Sequence, residues 1–257
     1  MSNKPVVFIT NDDGYFAKGI KTLVDLVSQY AKVFVVAPDQ SRSGYSCAFT
    51  SKAPLRMTKL SEQDDLVVYS TNGTPTDCAK LAFFDLFAKE KPDLVLSGIN
   101  HGSNASVNAI YSGTVGGAIE GCVNHVPSIA FSLCDLEKDA DFSYCLPIVD
   151  RLVRYVLKSH LPQGTFLNVN FPKGELRGWK VCRQADAYWS EEFDRKVGSD
   201  GSEEFFLTGR FINREPDSVD TDLWALDHGY ASVVPVKINS ADESLMDKLN
   251  NELIEEI

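Results

Sequence analysis

The chain has 257 residues, 44% hydrophobic and 24% charged, with 25 basic against 36 acidic side chains and a formal net charge of −11. This composition excludes collagen-like, coiled-coil and disordered chains, and the length suits one large domain or a main domain with an appendage. The acidity argues against duplex nucleic-acid binding, which runs on cationic contacts to phosphate, and no apolar run reaches the ~20 residues that span a bilayer.

Taken in chain order, the opening Met1-Ser2-Asn3-Lys4-Pro5 has no signal-peptide anatomy, so the expected compartment is the cytosol. Pro5–Thr10 (PVVFIT) reads as a short buried strand, followed by the turn residues Asn11-Asp12-Asp13-Gly14. Ile20, Leu23, Val24, Leu26 and Val27 then recur at helical spacing. Lys32–Pro38 and Leu66–Thr71 read as strands, and Thr76–Lys89 as a helix with Leu81, Phe84, Leu86 and Phe87 inward. Asp93–Ser97, a helix from Ser112, Pro127–Ser132 and a helix from about Ala140 to Lys158 continue the alternation.

Apolar strands interleaved with amphipathic helices predict an α/β fold, a doubly wound and mostly parallel sheet with a Rossmann-like three-layer core. That core is expected over residues 1–171, complete by Phe171. Residues 172–257 are expected to form a hairpin-rich C-terminal arm, with strands at Trp179–Gln184 and Glu203–Phe211, a turn at Gly198–Ser202, a short helix at Thr221–Leu226, a strand at Tyr230–Val236 and a terminal helix at Ala241–Ile257. From Asp186 to Asp227 there are 12 acidic and 4 basic residues, so most of the net charge sits on this arm and reads as a solvated surface. The six cysteines form no C-x-x-C and the four histidines show no zinc spacing, so reduced, buried thiols are expected.

Doubly wound sheets place ligands at the carboxyl ends of their strands. Three polar loops occupy such positions. Asn11–Gly14 puts two adjacent carboxylates, Asp12 and Asp13, at a strand end; they read either as an Asx-rich turn or as hard oxygen ligands for a divalent cation. In Asp39–Gly44, Ser43 reads as a turn cap or a neutral ligand. The segment Ser97–Gly121 carries Asn100, Asn104 and Asn108 at a strand end. Its Ser112-Gly113-Thr114 opens a helix, either as a phosphate cradle or as a plain cap with glycines for close packing. Thr76 or Thr74 can cap the helix that follows Gly73, with Asp77 in its first turn; this start reads as mainly structural, with pocket lining as the alternative. Glu120 reads as structural, and His101 as a lone histidine close to the site or as a general acid.

In this order the segments ITNDDG (Ile9–Gly14), APDQSRSG (Ala37–Gly44), GTPTDC (Gly73–Cys78), SGIN-x-G-x-N (Ser97–Asn104) and YSGTVGGAIEG (Tyr111–Gly121) resemble the SurE family of stationary-phase survival proteins. The motifs Arg183–Trp189 and Thr221–Pro235 extend the resemblance into the arm. The resemblance implies a metal-dependent 5′-nucleotidase that hydrolyses nucleoside monophosphates, with one Mg²⁺ or Mn²⁺ per subunit. The implied metal positions are Asp12, Asp13, Ser43 and Asn100, and the implied phosphate contacts are Asn104, Ser112, Gly113 and Thr114. It also implies a homodimer or homotetramer joined through the C-terminal arm.

The chain departs from the family pattern at three places: Ala48 replaces a frequent serine, Ser106 and Asn108 replace Gly and Asp in the phosphate loop, and Val233-Val234 replace Ile-Thr. The expected mechanism is direct attack of an activated water, with Asp12 or Asp13 able to take its proton. The rival is a non-catalytic nucleotide-binding or sensing module.

Overall fold

The computed structural model describes residues 4–254; the opening Met1–Asn3 and the end of the expected terminal helix, 255–257, lie outside the described residues. The β-branched runs form the strands they suggest, in the order β1 (Val6–Thr10), α1 (Lys18–Val27), β2 (Lys32–Pro38), β3 (Met57–Gln63), β4 (Leu66–Thr71) and α2 (Pro75–Leu81). There follow β5 (Leu94–His101), α3 (Asn108–Tyr111), α4 (Gly113–Val123), β6 (Ser128–Leu133), α5 (Leu146–Ser159) and β7 (Thr165–Phe171). The remainder is β8 (Gly178–Val181), β9 (Ala187–Ser190), β10 (Phe193–Val197), β11 (Glu203–Leu207), β12 (Arg210–Asn213), α6 (Asp222–Asp227), β13 (Tyr230–Lys237) and α7 (Glu243–Ile254).

A sheet of nine strands forms, in the order β3-β4-β2-β1-β5-β6-β7-β13-β8. The run from β4 to β7 is parallel, while β3 and β13 join it antiparallel. Because β1 pairs with β2 on one side and β5 on the other, the chain reverses its direction of travel across the sheet there. That reversal makes the carboxyl ends of β1 and β5 the topological switch point, where such sheets open a crevice.

Alternating strand residues serve two cores. Val7, Ile9, Val33, Val35, Leu94 and Leu96 pack with Ile20, Leu23 and Val24 of α1 and with Val149, Val153 and Val156 of α5. Phe8, Val36 and Val95 face the opposite side, where Cys78 and Ala79 of α2 cover them. The expected three layers therefore form. Glycine sets how closely the helices approach. A Cβ on Gly19 of α1 would lie 1.9 Å from the Ile99 carbonyl oxygen of β5. One on Gly117 of α4 would lie 2.8 Å from Thr10 Cγ2.

Several expectations are corrected. The sheet does not end at Phe171: β13 pairs with β7, and β8 pairs with β13, so residues beyond 171 complete the core. Trp179 thus lies on a core strand and not in a hairpin. The helix from Thr76 ends in a π turn over Ala82–Leu86, whose extra residue shifts the helical phase. Phe84 is therefore 81% exposed, while Phe87 is buried against Phe8. The helix expected from Ala140 begins at Leu146, after a 3₁₀ turn at Ser143–Cys145. Of the thiols, Cys47 is exposed and Cys134 half-buried, while the other four are buried. Among the described residues no helix is long and apolar enough to cross a membrane.

Candidate active site

The first loop is closed by Asn11 and not by its aspartates. Asn11 Oδ1 accepts from the Gly14 N–H at 3.2 Å, and its Nδ2 donates to the Gly14 carbonyl at 3.0 Å. Gly14 supplies the positive φ of 104° that the turn needs. Both neighbouring carboxylates are thereby left for other partners.

Asp12 is 3% exposed. Its Oδ1 accepts the Thr114 hydroxyl proton at 2.6 Å. Burial pushes its carboxyl up to about 6, the Thr114 hydroxyl and backbone N–H pull it down, and the charge of Asp13 raises it further. Asp13 Oδ2 accepts the His101 backbone N–H at 3.1 Å and lies 3.0 Å from His101 Nδ1, which donates to it. The His101 ring stands edge-on to Phe142, at 4.9 Å between centroids, so its orientation is fixed. Among the described residues neither aspartate pairs with a lysine or arginine.

The second loop is tied to the first by the Arg42 N–H, which donates to the Asp12 carbonyl at 2.7 Å. Ser43 is exposed beside it, its hydroxyl 3.1 Å from that of Ser41. Ser46 binds the third loop through the Tyr111 and Ile110 carbonyls. Asn100, 8% exposed, donates from Nδ2 to the Gly102 carbonyl at 2.8 Å. Among the described residues no protein group donates to its Oδ1. Two carboxylates without a cationic partner, with amide and hydroxyl oxygens on the adjoining loops, suit a hard divalent cation. Among the described residues no group of three or more His, Cys, Asp or Glu side chains could hold a metal. Neutral oxygens must therefore complete any set built on Asp12 and Asp13.

The expected phosphate residues divide by their surroundings. Ser112 caps α4, its Oγ accepting from the Val115 N–H at 3.0 Å and keeping its own proton to donate. Gly113 lies so close to Asp12 that a Cβ there would sit 2.9 Å from Asp12 Cβ. The Thr114 side chain is fully buried with its proton on Asp12, so here it acts on the carboxylate. Asn104 is also engaged from below: its N–H donates to Asn170 Oδ1, its Nδ2 to Ser132 Oγ, and its carbonyl accepts from Asn168 Nδ2. The reading of the sequence missed Asn168 and Asn170; two asparagines alternating in an apolar strand were the signal. Thr74 and Asp77 form a capping box and Glu120 pairs with Lys80, both structural as expected.

The departures Ser106 and Asn108 are where the arm holds the loop. The Ser106 N–H donates to Asp222 Oδ2 at 2.8 Å, and its hydroxyl to the Ala185 carbonyl at 2.8 Å. Asn108 Oδ1 accepts from Trp189 Nε1 at 2.8 Å. Asp222, 1% exposed, is raised by burial and held down by the backbone N–H groups of Ser106, Ala185 and Leu223.

Replacing Thr114 with Val keeps the shape but leaves Asp12 Oδ1 without its donor in a buried setting. The expected cost is about 1–3 kcal/mol of stability together with a loss of at least tenfold in turnover. Ser112→Ala is expected to lower affinity for inorganic phosphate more than it lowers the melting temperature. Calorimetric phosphate titration beside thermal unfolding of both variants checks this.

The switch-point crevice and its oxygen-rich loops define an α/β protein of the doubly wound class, whose sheets in general take ligands at the strand ends. The chain belongs to the SurE family: the family model described as Survival protein SurE matches residues 7–191. It is 45% identical over 249 residues to the 5′-nucleotidase SurE of Phocaeicola vulgatus, covering 96% of each chain. It is 44% identical to the 5′-nucleotidase SurE of Flavobacterium psychrophilum, covering 97% of this chain and 98% of that one. The crystal structure of the SurE protein from Aquifex aeolicus superposes with a TM-score of 0.83 at 35% identity, covering 96% of this chain and 99% of that one.

Proposed function

We propose that this chain is a 5′-nucleotidase that hydrolyses nucleoside monophosphates to nucleoside and phosphate. The observation that carries the reading is the pair Asp12 and Asp13 at the switch point, each oriented by its own donor, in a chain whose relatives bear that name. Asp12, Asp13, Ser43 and Asn100 would hold one divalent cation, Mg²⁺ or Mn²⁺. Such a cation supplies Lewis-acid polarisation of the phosphoryl group and lowers the pKa of a water.

The chain's own residues do the rest. Thr114 and His101 fix the two carboxylates, so neither must reorganise during reaction. Ser112 offers a hydroxyl proton to a phosphoryl oxygen at the start of α4, and Asp12 or Asp13 accepts the proton of the attacking water. Asn104, locked to β6 and β7, sets the loop above. Incubation of AMP with the protein and Mn²⁺ tests the reading: adenosine and phosphate in equal amounts are expected. Nucleotide binding without turnover would favour the non-catalytic module instead.

Asp12 also sets a pH dependence. Its folded, cation-free pKa of about 6 lies above its ordinary 3.8. The stability this group contributes is thus fully present below about pH 4 and is lost as pH rises through about 6. Cation binding needs the ionised form, so it competes with the proton. The rise in melting temperature caused by Mn²⁺ is expected to grow between pH 5 and pH 7 and then level off. An equal rise at both pH values would contradict this.

We assign the assembly to a homodimer or homotetramer through the arm. Phe193, Phe205 and Leu207 share one face of the β10–β11 hairpin and are 61%, 55% and 75% exposed, which is an interface-like apolar face. Trp189 and Trp224 do not belong to it, since Trp189 packs on Phe211 and Trp224 stacks on His228. Truncation before Tyr230 would remove the core strand β13, so substitution is the cleaner probe. Phe205→Asp with Leu207→Asp is expected to reduce the mass seen by light scattering while the far-ultraviolet spectrum stays the same.

A further inference from the structure

We propose that the cavity between the start of α1 and the loop after β6 is the subsite for the substrate's nucleobase and ribose, walled by Phe16 and Leu136. The inference rests on the nucleotidase reading, which places the phosphate at Asp12 and Asp13. The cavity holds about 800 Å³, within the range of small-molecule sites. Asp13 and His101 are among its lining residues, so a ligand lying in it meets the Asp13 carboxylate.

The two walls are held against the site by glycines. A Cβ on Gly14, directly after Asp13, would lie 2.9 Å from the Phe16 ring. A Cβ on Gly102, directly after His101, would lie 2.8 Å from Leu136 Cδ2. The absence of both Cβ atoms lets one large apolar side chain settle over each site loop. Both nevertheless keep much of their surface open, Phe16 at 50% and Leu136 at 81%. The Lys18 ammonium donates to the Asp139 carbonyl at 2.8 Å, which ties the segment carrying one wall to the segment carrying the other.

An aromatic and an aliphatic side chain lining one cavity fit a flat heteroaromatic ring, which can stack on the first and pack against the second. Lys18, Lys21 and Lys138 also line the cavity. With Asp13 and Asp25 in the same lining, the charged side chains are three basic to two acidic, a local excess of one positive charge in a chain of net charge −11. The ligand class is thus a nucleoside monophosphate, bound through its base, in preference to base-free phosphomonoesters.

The test compares wild type, Phe16→Ala, Phe16→Trp and Leu136→Asp on AMP and on glycerol phosphate, with adenosine binding followed by calorimetry. Phe16→Ala and Leu136→Asp are expected to raise KM for AMP about tenfold and to weaken adenosine by a similar factor. KM for glycerol phosphate and inhibition by inorganic phosphate should stay within twofold, and Phe16→Trp should retain wild-type KM for AMP. Adenosine binding unchanged by both wall substitutions would overturn the subsite, as would an equal rise in KM for the two substrates. Failure of the wild type to release phosphate from either substrate would instead refute the nucleotidase reading, while the adenosine titration still decides the subsite.

Discussion

Asp12→Asn and Asp13→Asn are each expected to lower the rate of phosphate release from AMP by about a thousandfold or more, with the fold retained. Each change keeps the size of the side chain and removes the charge on which cation binding and proton acceptance depend. The two variants differ in a way that identifies the site. Burial has already pushed Asp12 up to about 6, so neutralising it removes a desolvation cost that no cationic side chain offsets. Asp12→Asn is therefore expected to melt higher than cation-free wild type at pH 7 while losing activity, the trade-off common at active sites. Asp13→Asn keeps an oxygen for the His101 N–H groups but loses the charge that strengthens those bonds, and no such gain is expected. An active, EDTA-insensitive Asp13→Asn protein would contradict the metal assignment.

Gly19→Ala is expected to be the most damaging substitution of a single methyl group. The added carbon would lie 1.9 Å from the Ile99 carbonyl oxygen, a backbone atom that no rotamer change can move. Helix α1 must then lift from β5, at a cost of about 3 kcal/mol. For a chain of this size that lowers the melting temperature by roughly 6–12 °C. Activity should fall as well, since Asn100 follows Ile99 directly. Gly174→Ala is the control: its φ is 94° but nothing lies within 4 Å of the added carbon. Only the backbone cost of about 1 kcal/mol is expected there.

The sequence read best where a pattern repeats locally. β1, α1 and β2 follow from unbroken apolar runs and from Ile20, Leu23, Val24 and Val27 at helical spacing, and the three site loops follow from where those strands end. What escaped depends on partners distant in sequence. β3 has no apolar alternation because every residue but Met57 is exposed on an edge strand. β8 and β13 look like parts of an appendage until the pairing of β13 with β7, and of β8 with β13, is seen. The π turn that exposes Phe84 is a one-residue change in phase that no average period reveals. In the site, residue types pointed to loops that meet at the strand ends and not to who holds whom. Thr114 lies 102 residues from Asp12, His101 lies 88 from Asp13, and Asp222 lies 116 from Ser106. Those bonds set the Thr114 hydroxyl on the Asp12 carboxylate and give the arm a hold on the loop.

The most direct measurement is phosphate release from AMP, GMP, CMP and UMP with Mn²⁺, after EDTA, and after Mn²⁺ is restored. Release with Mn²⁺, none above background in EDTA and recovery on restoration are expected, all absent in Asp13→Asn. Release that persists in EDTA, or release from none of the four under any condition, would contradict a cation-dependent nucleotidase centred on Asp12 and Asp13.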